Sequence, residues 1–203
     1  MAIFLIDLPP NDMQRRLGDA LTVYVDAMRY PRGTEAQRAG MWLEHIRRRG
    51  WQGVGVVETE AAEAPEGTDT PSPDELSNAP LLGVAYGYPG APGQWWQQQV
   101  VLGMQRGGSP PQEIAKLMNS YFELTELHIH PRAQGRGLGE ALARRLLAGR
   151  AEKNVLLSTP ETNGESNRAW RLYRRLGFID VIRSYHFAGD PRAFAILGRE
   201  LPL

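Results

Sequence analysis

The stretch richest in chemical information is Gln134-Gly135-Arg136-Gly137-Leu138-Gly139. Glycines placed between a strand and a helix leave backbone N–H groups uncovered and aimed at one spot, and such a spot binds a phosphate. The start of a helix adds about half a positive elementary charge there, typically worth roughly 0.3 to 1 kcal/mol to an anion. Arg132 and Arg136 bring further positive charge to the same anion. The alternative reading of these residues is a tight turn with close helix-strand packing. Spacing excludes a dinucleotide fingerprint, because the position three after Gly137 is Glu140, and a Walker A loop, because Gly-Lys-Ser/Thr is absent.

Just upstream, Tyr121 to His130 reads as a strand that carries Glu123, Glu126, His128 and His130. Alternation puts Glu126 on the face opposite Glu123, together with His128 and His130. The His128-x-His130 pair could suggest a metal, but no further ligand cluster accompanies it, so no metal is expected. The chain contains no cysteine, which excludes a disulfide framework, a thiolate nucleophile and a zinc-thiolate site.

The elements around these residues follow from periodicity and punctuation. After the turn Pro131 to Ala133, a helix begins at about Gln134, with Leu138, Leu142 and Leu146 on one face and Gly149 as its stop. Val155 to Thr159 is a short strand. Ser166 or Asn167 caps a helix with Ala169, Leu172, Tyr173 and Leu176 on one side, and Gly177 ends it. Phe178 to Phe187 and Ala193 to Leu201 read as two strands joined through Gly189-Asp190-Pro191.

Upstream, Asn11-Asp12-Met13-Gln14 resembles a capping box for a helix carrying Leu17, Leu21, Tyr24 and Met28, broken at Tyr30-Pro31. A second helix starts at Thr34, with Gln37 reaching back, and ends with Arg47-Arg48-Arg49 before Gly50. Trp51 to Val57 and Leu81 to Tyr88 read as strands. Residues 58–80 between them hold seven acidic side chains, no basic ones and four prolines, which predicts a mobile loop. Residues 89–120 form an insertion with a short helix from Gln112 to Asn119. The alternation of strands and helices predicts an α/β fold in which helices cover a mixed sheet.

Two segments resemble the GNAT superfamily. Gln134-x-x-Gly137-x-Gly139 after a strand is similar to its coenzyme A signature, and Ala169-x-x-Leu172-Tyr173-x-x-x-Gly177-Phe178 is similar to its later helix and strand. The resemblance covers residues 121–187 and implies a mixed, mostly antiparallel central sheet flanked by helices, here one domain over 1–203. It also implies that the pyrophosphate of acyl-CoA sits on Gln134, Gly135, Arg136, Gly137, Leu138 and Gly139, and that pantetheine bonds to the backbone near Leu127 and Ile129. Ser166 stands seven residues before Tyr173, where the family often has a coenzyme-contacting Asn, and Asn167 comes one place later.

The implied reaction moves an acetyl group from acetyl-CoA to a primary amine by direct attack. An alkyl amine with a pKa near 10.4 is free in only about one molecule per thousand at neutral pH, a deficit of roughly 4 to 5 kcal/mol, so a proton acceptor is expected. The resemblance assigns that role to Glu123, eleven residues before Gln134, with Glu126 as the alternative. It assigns protonation of the departing thiolate to Tyr173. The competing functions are a noncatalytic acyl-CoA-binding regulatory module and an acetyltransferase acting on protein N-termini or lysines. Selectivity for the acceptor is expected in Tyr30 to Gly33, in residues 89–120 and in His186 to Arg192.

Composition bounds the partners. Residues 1–128 carry 10 Lys/Arg against 16 Asp/Glu, and residues 129–203 carry 13 against 7, so the halves are oppositely charged within a neutral chain. The basic half lacks dense Lys/Arg runs with interleaved aromatics, which argues against nucleic acid. The apolar run after Met1-Ala2 is too short for a signal peptide, and no segment approaches the roughly 20 apolar residues of a membrane span. The expectation is a cytoplasmic protein without membrane or nucleic-acid partners, with acetyl-CoA and an amine acceptor as its ligands and a homodimer left open.

Overall fold

The computed structural model of the chain describes residues 1–59, 71–161 and 167–203. Seven strands form one mixed sheet: β1 (Ala2–Asp7), β2 (Gln52–Thr59), β3 (Leu81–Pro89), β4 (Tyr121–Ile129), β5 (Asn154–Pro160), β6 (Ile179–Tyr185) and β7 (Phe194–Glu200). Their order is β1-β2-β3-β4-β5-β7-β6. The β1/β2, β2/β3, β5/β7 and β6/β7 pairs are antiparallel, and β4/β5 is parallel. This is the α/β architecture that the sequence pattern predicts, with the mostly antiparallel sheet that the resemblance implies. The chain folds as two compact units, Met1–Gly87 with Glu126–Leu146, and Tyr88–Thr125 with Leu147–Leu203.

In the first unit, helices α1 (Pro10–Arg15), α2 (Leu17–Met28), α3 (Thr34–Ile46), α4 (Pro73–Asn78) and α7 (Leu138–Leu147) accompany β1, β2 and most of β3. The predicted first helix is two helices. Pro10 occupies a first-turn position, where its missing N–H costs nothing, so Asn11 lies inside α1 and makes no cap. The break falls at Arg16, which is 8% exposed and donates from Nη2 to the Ala79 carbonyl at 2.6 Å. The box predicted at Thr34 is also replaced. Gly33 is the N-cap of α3, Thr34 Oγ1 donates to the Pro31 carbonyl, and Glu35 rather than Gln37 accepts from the Gly33 N–H at 2.8 Å.

The acidic segment is not a loop throughout. Ser72 and Glu75 form a reciprocal capping box, Pro73 follows at the first helical position, and α4 results. Glu58 belongs to β2 and is 9% exposed. The remainder of that expectation, residues 60–70, lies outside the described residues.

The core of this unit is aromatic. Trp42 packs edge-on against Tyr86 at 5.0 Å between centroids and tilted against Tyr24 at 5.8 Å, and both Trp42 and Tyr86 are fully buried. His45 Nδ1 lies 3.0 Å from the Tyr86 hydroxyl. Burial, reinforced by the Arg48 guanidinium, lowers the His45 pKa from 6.5 to about 4. The unfolded chain therefore binds a proton at His45 that the folded chain refuses. Stability is unaffected by this group above about pH 6.5, falls as pH drops from there, and levels off below about pH 4. His45→Gln, which preserves a partner for Tyr86, should recover on the order of 1 to 2 kcal/mol of the loss at pH 5. Denaturant melts from pH 7 to pH 4.5 check this, and equal pH slopes for the two proteins would refute it.

In the second unit, α5 (Trp95–Arg106), α6 (Pro111–Met118) and α8 (Arg168–Arg175) pack with β5, β6 and β7. The insertion thus contains two helices where the sequence predicts one. Trp96, Val100, Met104, Ile114 and Met118 join Tyr121, Tyr185 and Phe187 in one core, while Trp95 is 51% exposed and lies 5.5 Å from the Phe187 ring. Gly90 is required where the chain leaves β3, because a Cβ there would stand 1.9 Å from Tyr121 Cζ. Tyr121 Oη donates to Gln97 Oε1 at 3.1 Å, tying α5 to the first residue of β4.

Candidate active site

In the first unit, β4 ends at Ile129 and runs into a 3-10 turn, Pro131–Ala133. The His130 N–H donates to the Leu82 carbonyl at 2.8 Å, and its carbonyl accepts from the buried Ala133 N–H at 2.9 Å. His130 Nδ1 accepts from the Arg132 N–H at 3.3 Å, which makes the imidazole the cap of the turn. The turn is therefore fixed at both ends before the glycines begin.

Gln134 then folds back, its Nε2 donating to the Ile129 carbonyl at 3.0 Å. This holds the loop to the end of β4, so its amide serves the protein's own backbone. Gly135 and Gly137 have φ of +82° and +77°, a conformation that L side chains rarely adopt, with open space where a Cβ would stand. The first bond of α7 runs from the Ala141 N–H to the Gly137 carbonyl at 3.1 Å. The N–H groups of Leu138 and Gly139, in the first turn, consequently have no acceptor inside the helix. Gly135, Arg136 and Gly137 are exposed. Arg132, read from the sequence as a phosphate cation, pairs through Nη1 with Glu58 Oε2 at 2.6 Å.

Glu126 and His128 share a face, as alternation predicts, and Glu126 Oε2 lies 2.5 Å from His128 Nε2. The His128 ring meets Tyr24 edge-on at 4.9 Å. Burial raises the Tyr24 phenol pKa above its ordinary value, and the Glu126 carboxylate raises it further, so Tyr24 stays protonated. His130 Nε2 lies 3.2 Å from Asp26 Oδ2. The two histidines thus have carboxylate partners on different elements. Among the described residues, no group of three or more His, Asp or Glu side chains could hold a metal.

In the second unit, the parallel pairing of β4 with β5 spans Tyr121↔Asn154 to Glu123↔Leu156. Glu123 is 4% exposed, and the Tyr88 hydroxyl points to its Oε1 at 3.4 Å. Tyr88 carried no signal in the sequence beyond its place at the end of a strand. Tyr173 is 7% exposed on the inner face of α8 with Trp170, Leu172 and Leu176, and its ring lies 5.7 Å from Phe178. Asn167 caps α8, its Oδ1 accepting from the Ala169 N–H at 2.9 Å, so its side chain serves the helix. Ser166 lies outside the described residues.

The chain is 82% identical, over its full length and the full length of the relative, to a GCN5-like protein acetyltransferase of Mycobacterium tuberculosis. Residues 96–180 match the family described as acetyltransferase (GNAT) domain. Among solved structures, it is similar to an acetyltransferase of the GNAT family from Desulfovibrio desulfuricans, with a TM-score of 0.60 and 15% identity over 98% of this chain and 99% of that one. It is also similar to Arabidopsis thaliana NAA60 in complex with acetyl-CoA, with a TM-score of 0.59 and 16% identity over 98% of this chain and 99% of that one. No helix among the described residues is long and apolar enough to cross a membrane.

Proposed function

Because the chain belongs to the GNAT acetyltransferase family, we propose that it transfers an acetyl group from acetyl-CoA to an amine carried by a protein, a lysine side chain or an N-terminus. The observation that carries the acceptor class is the 82% identity, over both full lengths, to a relative named a protein acetyltransferase. The pair of positive-φ glycines ahead of α7, with helix-terminal N–H groups, supports the coenzyme side.

In this reading the pyrophosphate binds the backbone of residues 134–139, with Arg136 adding charge, and pantetheine runs along Leu127 and Ile129. The acceptor nitrogen attacks the thioester carbon directly. Glu123 takes the ammonium proton beforehand, which frees the lone pair that forms the N–C bond. The C–S bond then breaks, and the thiolate takes a proton from the Tyr173 hydroxyl. The proton the nitrogen sheds on becoming an amide replaces the one Tyr173 gives up. No acyl group rests on the enzyme, in keeping with a chain that has no cysteine. No metal enters these steps, and the protein works in the cytoplasm.

The test is acetyl-CoA turnover, followed as thiol release and as mass gain on the acceptor. The panel contains lysine peptides with blocked N-termini, lysine-free peptides with free N-termini, and small polyamines. Peptide acceptors should exceed polyamines in kcat/KM by at least about tenfold, since the peptide backbone adds binding energy. Preference for polyamines would overturn the acceptor assignment, and thiol release without any acceptor product would overturn transfer itself.

A further inference from the structure

Asp26, near the end of α2, makes two contacts with its two carboxylate oxygens. Its Oδ1 lies 2.9 Å from Arg32 Nη2, and its Oδ2 lies 3.2 Å from His130 Nε2, two ion-pair distances. Arg32 belongs to the segment between α2 and α3, where acceptor selectivity is expected, and its Nη1 lies 3.3 Å from Glu35 Oε1. His130 caps the turn that leads into the glycine loop. Because its Nδ1 accepts the Arg132 N–H, that nitrogen carries no proton, which puts the ring proton on Nε2, the nitrogen 3.2 Å from Asp26 Oδ2. The negative charge of the carboxylate beside Nε2 favours a proton on that nitrogen, and so the cap itself.

We infer that Asp26 is a positioning residue that couples the Arg32 segment to the coenzyme loop, so that the state of one alters acetyl-CoA binding at the other. The inference rests on residues 134–139 as the coenzyme loop. The route is short and consists of named contacts: Arg32 to Asp26, Asp26 to the His130 imidazole, His130 to the Arg132 N–H, and the turn to Gln134. Asp26 is the only member that touches both sides through its side chain. Its carboxylate has one oxygen for each, so Arg32 holds the carboxylate in its place beside His130, and a ligand that draws Arg32 away releases Asp26 from that orientation.

A double-mutant cycle on the full chain, read by calorimetry with acetyl-CoA, tests the coupling. Arg32→Ala removes a contact remote from the loop and should weaken acetyl-CoA about threefold, the upper scale of a surface ion pair. Asp26→Ala should weaken it about tenfold, and the double variant should match Asp26→Ala alone. Asp26→Asn, which keeps the shape and one accepting oxygen, should fall between wild type and Asp26→Ala. Arg32→Lys should restore most of the Arg32→Ala loss. With an accepted peptide, the deficit should fall on KM for acetyl-CoA more than on kcat, a split that a general loss of fold would not give. Nitrogen NMR should find the Nε2-protonated His130 tautomer in wild type and lose its preference in Asp26→Asn. Independent effects that multiply in the double variant, with wild-type binding intact, would overturn the coupling alone. Absence of acetyl-CoA binding by the wild type would overturn the coenzyme-loop reading beneath it.

Discussion

Glu123→Gln should lower kcat/KM by roughly 10² to 10⁴ at neutral pH while acetyl-CoA affinity stays within about twofold. The amide keeps the volume of a side chain that is 4% exposed and keeps an oxygen for the Tyr88 hydroxyl, so neither packing nor that hydrogen bond is the variable. What disappears is a group able to take the ammonium proton. The deficit to be covered is the scarcity of free amine at neutral pH, roughly 4 to 5 kcal/mol, which falls within the roughly 3 to 5 kcal/mol of the expected loss. The pH dependence identifies the role. The variant should recover part of its rate above pH 9, as free amine accumulates in solution, and the wild type should gain less. The measurement is a kcat/KM profile for wild type, Glu123→Gln and Glu126→Gln with one accepted peptide. Glu126 is bonded to His128 and serves as the comparison. Loss confined to Glu126→Gln would assign the base to the other face of β4, and full activity in both would place deprotonation in solution and leave positioning to carry the rate.

The sequence was most legible where its punctuation was local. From Tyr121 to Gly177, glycine stops, the Asn167 cap and leucines at helical spacing all act within one or two turns, and the predicted strands and helices are present there. The first half was misread at its helix starts because prolines and Gly33, rather than Asn11 or Thr34, begin the helices. The sequence hid α5 because its N-cap, Gln94, makes no side-chain cap and its surface is glutamine-rich, so only Trp96, Val100 and Met104 mark the buried side. Glu58 was read with an acidic loop, yet its partner Arg132 lies 74 residues away, a pairing that no local pattern announces. For the same reason Asp26 and Tyr88 were invisible as neighbours of His130 and Glu123. Residue types showed which chemistry was available, and the pairings that orient those residues required the fold.

Gly137→Val should weaken acetyl-CoA by about 10²-fold in a protein that still folds. Gly137 has a φ of +77°, and the space beside its Cα is open, so the substitution meets no neighbouring atom. The cost is conformational: a β-branched residue in the left-handed region is disfavoured by roughly 1 to 2 kcal/mol. The loop relieves it by rotating φ, which turns the backbone away from its present direction and disturbs the first bond of α7, from Ala141 to the Gly137 carbonyl. Each charge-assisted bond from a helix-terminal N–H to a phosphate contributes about 1.5 to 3 kcal/mol, so misdirecting one or two of them accounts for the expected loss. Stability should change little, because Gly137 is exposed and the turn before it is held independently by His130 and by Gln134 on Ile129. Gly137→Ala should give an intermediate loss, since Ala lacks the branched side chain but shares the positive-φ penalty. Calorimetry with acetyl-CoA, beside a thermal melt, reads both quantities. Unchanged affinity in a folded Gly137→Val protein would remove the phosphate from this loop, and a fall of more than about 10 °C in Tm would show that Gly137 supports the fold and not the ligand.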